Sequence, residues 1–204
     1  MMKNVPYYSQ WESRHLVHKF ISREMNPKDD PLWRRSGAKS AEEYARWSPN
    51  ICGLACLKMI LEFRFGAGMP LLKLVDEAVQ YGAYRPELGD AGMRLTYRPF
   101  VEMLKARFGM NATVLEDSRS EDIEPLLRRD HLFMASVHPS IRHAGTISPP
   151  ERGGHLVLVF DVDHQGEWVF HNPSGLFGAT QANVRMRRQT FDEFFANRGI
   201  LIAP

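Results

Sequence analysis

Apolar and polar positions alternate differently in three successive parts of the chain, and each part predicts different elements. Residues 12 to 50 are polar, broken by "NPKDDP" and "SGAKS", and read as a long excursion over the surface. Inside it Ser40 and Glu43 have capping-box spacing, which predicts a short helix over "AEEYARW". From Asn50 the spacing becomes helical. "CGLACLKMILEFRFG" places Leu54, Leu57, Ile60 and Leu61 at that spacing, with Lys58, Glu62 and Arg64 as its charged residues, so a largely buried helix stopped by Gly66 is expected. "LLKLVDEAVQYG" predicts a second helix, and "RPFVEMLKARFG", with Pro99 near its start and Gly109 at its end, a third. "NATVLE" reads as a strand and "SEDIEPLLRRD" as a helix capped by Ser120, with Pro125 working against it.

The last third turns to β structure. "LFMASVH", "HLVLVFDV" and "EWVFHN" are apolar or β-branched runs, and "DHQG" between the last two predicts a hairpin. Thr190 and Glu193 are placed to cap "FDEFFANRG", after which "ILIA" reads as a short final strand. Helices first and a mostly antiparallel sheet second give an α+β fold, with no internal repeat.

Length and composition narrow this further. With 204 residues, 44% of them hydrophobic and 11% aromatic, the chain can bury one sizeable core, so residues 1–204 are expected to form a single domain with a surface insertion at about 12–48. A formal net charge of +2 argues against a strongly electrostatic partner, and no basic stripe interleaved with aromatics suggests nucleic acid. "VRMRRQ" and "LWRR" read as solvated surface. The N-terminus lacks the apolar core of a signal peptide, and no window reaches the roughly 18 apolar residues of a membrane span, so a cytoplasmic protein is expected. Oligomeric state is not legible.

The candidate chemistry begins with the chain's two cysteines. Four residues apart on one helix, Cys52 and Cys56 are poorly placed to bridge each other and read as thiols. They lack zinc-site spacing and a second cysteine pair, so no metal is expected. Cys52, just after Pro49 and Asn50, falls at a helix N-terminus, where the dipole and free N–H groups favour thiolate; as a small apolar residue it could equally be packing. Cys56 reads as core, and Gly53 as keeping the entrance open to a substrate backbone. A thiolate needs a base, and that base an orienting group. Of eight histidines, His155 stands out as the first residue of an apolar strand, behind Gly153 and Gly154. His171 is offset by one on the next strand and faces away from Asn172. A turn centred on Asp163 and His164 sets His155 opposite Asn172, whose amide oxygen can accept Nδ1–H and leave Nε2 for the sulfur; a shift of two residues keeps the same face. "HNPSG" alone would be only a turn after a strand. An oxyanion would need donors, for which the Gln10 amide in "VPYYSQW" and the Cys52 backbone N–H would serve.

Taken in order, "VPYYSQW", "NICGLACLKMIL", "GGHLVLVFDVD" and "VFHNPSG" resemble the papain-like cysteine peptidases related to those that remove double-glycine leader peptides from bacteriocins. The resemblance implies Cys52 as nucleophile, His155 as general base and then acid, Asn172 as orienter and Gln10 in the oxyanion hole, with a peptide or other amide as substrate and no cofactor. It also implies a papain-like fold in which the Cys52 helix packs on the sheet bearing His155. Many relatives have Asp where this chain has Asn172, and the gap between Gln10 and Cys52 is longer than expected. No attached transporter is expected, so the leader-peptide substrate is not expected to carry over. The same constellation fits a thiol acyltransferase (transglutaminase-like or phytochelatin-synthase-like), and a non-catalytic peptide-binding module of the same fold is the other alternative. Substrate-selecting side chains are expected in the excursion and in "PSIRHAGTISPPERGG".

Overall fold

The computed structural model describes residues 2–145 and 149–204, so residues 146–148 of the second expected specificity segment lie outside the described residues. Among the described residues the α-helices are α1 (Val17–Ser22), α2 (Ala41–Trp47), α3 (Cys52–Phe65), α4 (Leu71–Gln80), α5 (Tyr97–Phe108), α6 (Ser120–Leu127) and α7 (Arg188–Phe194), with short 3-10 turns between them. Six strands are β1 (Ala112–Leu115), β2 (Leu132–Val137), β3 (His155–Val162), β4 (Glu167–His171), β5 (Val184–Arg187) and β6 (Phe195–Ile202), joined in the order β1-β6-β2-β3-β4-β5 with every neighbouring pair antiparallel.

Both faces of this sheet are covered. Leu156, Leu158 and Phe160 of β3 pack with Leu54, Leu57 and Leu61 of α3 on one side, while Val157 and Val159 join Ile123 of α6 and Phe191 of α7 on the other. Double coverage explains why β2 and β3 read as unbroken apolar runs rather than as alternating ones. The Cys52 helix ends as expected at Gly66, which takes a left-handed conformation with φ 69°. Gly53 has a different task from the one expected. A Cβ there would stand 2.7 Å from Leu95 and 3.1 Å from Leu156, so the glycine lets α3 lie close against β3 rather than clearing a path for substrate.

Several elements differ from the sequence reading. Ser120 does not cap α6; its hydroxyl donates to Asp192 on α7, and Arg119 is the capping position. The helix expected over "FDEFFANRG" begins earlier, at Arg188 without a side-chain cap from Thr190, and stops at Phe194, where β6 takes over. Pairing with β2 outweighs helical propensity there: Phe195 lies opposite Val137, both in the cluster on the α6/α7 face. "VRMR" forms edge strand β5, with Met186 buried between outward-facing Arg185 and Arg187.

Residues 12 to 48 are folded rather than draped. Val17, Phe20, Tyr44 and Trp47 enter the same core as α3. Ser40 caps α2 by accepting from the Glu43 N–H at 3.2 Å, as the spacing predicts. The polar centre of the stretch is Asp30, 1% exposed, whose carboxylate accepts from Ser13 Oγ (2.5 Å), the Tyr44 hydroxyl (2.6 Å) and the N–H groups of Leu32 (2.9 Å) and Ser13 (3.1 Å). Replacing Asp30 by alanine orphans these donors. A loss of about 3 kcal/mol is expected, read as a Tm lower by roughly 10 °C; a shift within about 2 °C would mean the cluster contributes nothing net.

Candidate active site

Cys52 is the first residue of α3. The capping position before it, Ile51, supplies no side-chain hydrogen bond, so the first-turn N–H groups remain open. Cys52 is partly exposed and lines a groove of about 1000 Å³ together with Gln10, Arg142, His155 and Ser174. The N–H groups at the helix terminus pull toward thiolate, as expected, but they do not decide the net direction. Burial pushes the Cys52 thiol up, and it outweighs the opposing pull of the N–H groups of Leu156, Gly53 and Cys52 itself and of the Arg142 charge. Cys56, one turn on, is fully buried, donates its S–H to the Leu156 carbonyl at 3.8 Å, and belongs to the core, as expected.

His155 opens β3 directly after Gly153 and Gly154, both at left-handed φ (92° and 93°), a backbone path that other residues enter only with strain. Its Nε2 lies 2.8 Å from Asn172 Oδ1. The Ser174 backbone N–H also points at Oδ1, at 3.1 Å; because that group can only donate, the atom facing it is oxygen, and His155 must carry its proton on Nε2. The expectation had the two ring nitrogens exchanged. On the turn side of β3–β4, Val162 faces Trp168, three positions off the expected register; a bulge between Val159 and Asp161 takes back one, so Val159 faces Phe170 and Asn172 falls two positions from the place opposite His155. Asn172 stays on the His155 face, but only the outer ring nitrogen reaches it, so Nδ1 is the nitrogen left free of this bond. Burial pulls the His155 pKa down to about 4, against the upward effect of the Asn172 bond and with a further downward push from Arg142.

Asn172 is fully buried behind the ring. His171 faces the other way, as expected, where its Nε2 meets the Val5 carbonyl at 2.8 Å and its Nδ1 accepts from the Asn183 N–H at 3.0 Å. Gln10, 2% exposed, reaches the groove because the N-terminal segment is tied to the turn after β4: the Gln10 N–H and Ser9 Oγ both donate to the Pro173 carbonyl at 3.0 Å. Its Nε2 donates to the Ser48 carbonyl at 2.9 Å, leaving one further N–H on that nitrogen.

Two residues in the cluster were not singled out by sequence. Ser174 Oγ accepts from Arg142 Nη2 at 2.7 Å and stands 3.1 Å from His155 Nε2 and 3.4 Å from Asn172 Oδ1. Ser174 lies in the quoted "HNPSG", two residues past Asn172, so its closeness was in reach; nothing about Arg142 in "PSIRHAG" marks it. Among the described residues no group of three His, Cys, Asp or Glu side chains is arranged to hold a metal, and no helix is long and apolar enough to cross a membrane.

A chain with a cysteine-bearing helix against an antiparallel sheet whose β3 begins at a histidine matches, in its solved neighbours, the papain-like peptidase fold. Among solved structures, a putative C39-like peptidase from Bacillus anthracis is similar over 100% of this chain and 96% of its own, at 13% identity and a TM-score of 0.56. The peptidase domain of Streptococcus ComA, a bifunctional ABC transporter involved in quorum sensing, is similar over 76% of this chain and 93% of its own, at 14% identity and a TM-score of 0.52. No protein-family model and no curated protein matches the sequence.

Proposed function

We propose that the protein is a cysteine peptidase or related amide hydrolase acting through Cys52, His155, Asn172 and Gln10. The observation that carries this reading is the 2.8 Å hydrogen bond from His155 Nε2 to Asn172 Oδ1 at a groove that Cys52 and Gln10 also line. His155 Nδ1 accepts the Cys52 proton as the sulfur attacks the carbonyl carbon of a bound amide. The Asn172 oxygen holds the ring and stabilises the imidazolium that results. The second N–H on Gln10 Nε2 and the Cys52 backbone N–H receive the oxyanion. Collapse of the tetrahedral adduct expels the amine, which takes its proton from His155; the neutral ring then activates water to hydrolyse the Cys52 thioester. The raised thiol and lowered imidazole describe a resting pair that is neutral, with the proton moving as substrate arrives.

The test is chemical labelling beside turnover of a degenerate peptide library. Iodoacetamide at neutral pH is expected to modify Cys52 and spare Cys56, which is fully buried, and His155→Ala is expected to slow that labelling. Hydroxylamine is expected to divert product to the hydroxamate through the thioester. Preferential labelling of Cys56, or turnover that continues unchanged once Cys52 is alkylated, would sink the assignment.

A further inference from the structure

The cations of the groove outnumber its carboxylates and pair with none of them among the described residues. Arg94, Arg98, Arg142, Arg152 and Arg198 all line it, and among the described residues none of the five forms an ion pair. Some arginines outside the groove are paired, Arg107 with Glu77, Arg128 with Glu124, Arg185 with Asp163 and Arg188 with three acids, so what sets the groove apart is the gathering of five on one concave surface. The groove contributes two acids of its own, Glu116 and Glu151, against the five arginines. A chain that is nearly neutral overall thus carries a local excess of positive charge at one concave surface.

Two of these arginines stand beside the proposed reacting groups. Arg142 is half-buried, its guanidinium donates to Ser174 Oγ at 2.7 Å, and among the described residues its buried Nε has no partner. Arg198 leans over Gly153, where a Cβ would stand 3.0 Å from its Nη2, two residues from His155. For Arg142, a guanidinium partly withdrawn from water without a counterion is unfavourable unless something anionic arrives, while Arg198 is exposed and able to turn toward a ligand. A carboxylate fits the planar fork of a guanidinium with two parallel hydrogen bonds.

We infer that the groove selects peptides carrying acidic side chains close to the bond to be cleaved, with Arg142 and Arg198 receiving the carboxylates nearest that bond. This deepens the hydrolase reading and rests on it for the word cleaved, yet binding itself needs no turnover. The experiment accordingly uses the full chain with Cys52→Ala and follows the fluorescence anisotropy of a labelled Glu-Gly repeat peptide against the matched Gln-Gly peptide. The Glu peptide is expected to bind about tenfold more tightly at about 0.05 M salt, the advantage shrinking at about 0.5 M. Arg198→Gln, at an exposed position, and Arg142→Gln are each expected to lower the advantage severalfold. Arg128→Gln, outside the groove, is expected to leave it intact. Equal binding of the two peptides, or an equal loss in Arg128→Gln, overturns the inference. Neither result touches the hydrolase reading, which is tested by thiol labelling and turnover; conversely, a charge preference with no turnover would leave an acidic-peptide-binding groove standing.

Discussion

Cys52→Ala and His155→Ala are each expected to lower kcat/KM on any peptide the wild-type protein cleaves by about 10⁴-fold or more, and the double variant to fall no further. Non-additivity is the diagnostic part of this result. If the imidazole acts only by taking and returning the proton of the sulfur, removing it from a protein that lacks the sulfur changes nothing. Asn172→Ala is expected to cost less, about 10- to 100-fold, because the amide holds the ring and exchanges no proton. Its bond to Nε2 also selects the tautomer, so the loss is expected in kcat rather than in KM. Folding is not the issue for Cys52→Ala: the side chain is small, partly exposed and at a helix start, and a change within about 1 kcal/mol is expected. Retention of more than about a tenth of the activity by Cys52→Ala, or strictly multiplicative losses in the double variant, would show that the thiol and the imidazole do not work as a unit.

How much of this site could be read from residues alone depends on how local the deciding interaction is. Cys52 at a helix start and His155 at a strand start follow from neighbouring residues: the apolar spacing of α3, the Gly66 stop, and the glycine pair before a buried strand. The shared face of His155 and Asn172 matches the expectation, but through two departures that compensate: the turn shifts the register by three positions and the bulge returns one, and a net slip of two preserves the face. Which ring nitrogen meets Asn172 was not legible, because it depends on the register set jointly by the turn and by the bulge between Val159 and Asp161, and no residue type in "HLVLVFDVD" announces a bulge. Nor was the sign of the thiol's perturbation legible. The dipole argument used the helix alone, whereas burial between α3 and β3 dominates. Gln10 illustrates the same limit at longer range, for it is brought in by hydrogen bonds to Pro173, more than 160 residues away. In the excursion, counting polar residues hid the fact that one of them, Asp30, organises the others, while a few spaced aromatics anchor the stretch to the core.

Acidification is expected to destabilise the protein between about pH 6.5 and pH 4, and two histidines account for it. Burial holds both His155 and His171 down from an ordinary value of 6.5 to about 4. The unfolded chain therefore takes up protons in this window that the folded chain refuses, so stability is complete above pH 6.5 and is lost as the pH falls toward 4. For each ring the full difference is about 3 kcal/mol, spread over that interval. His171 gives the cleaner measurement because it lies outside the groove. It is fully buried between the Val5 carbonyl, to which it donates, and the Asn183 N–H, from which it accepts, and it packs against Phe160 with ring centroids 4.6 Å apart. A second proton on Nδ1 would have to oppose the Asn183 N–H directly. His171→Gln removes the titration at some cost in packing: its urea midpoint at neutral pH is expected to be lower than that of the parent, but its decline from pH 6.5 to 4 about half as steep. Parallel decline in the two proteins would exclude His171 as an acid-sensitive group. A flat parent profile across the window would mean that neither imidazole resists protonation in the folded state.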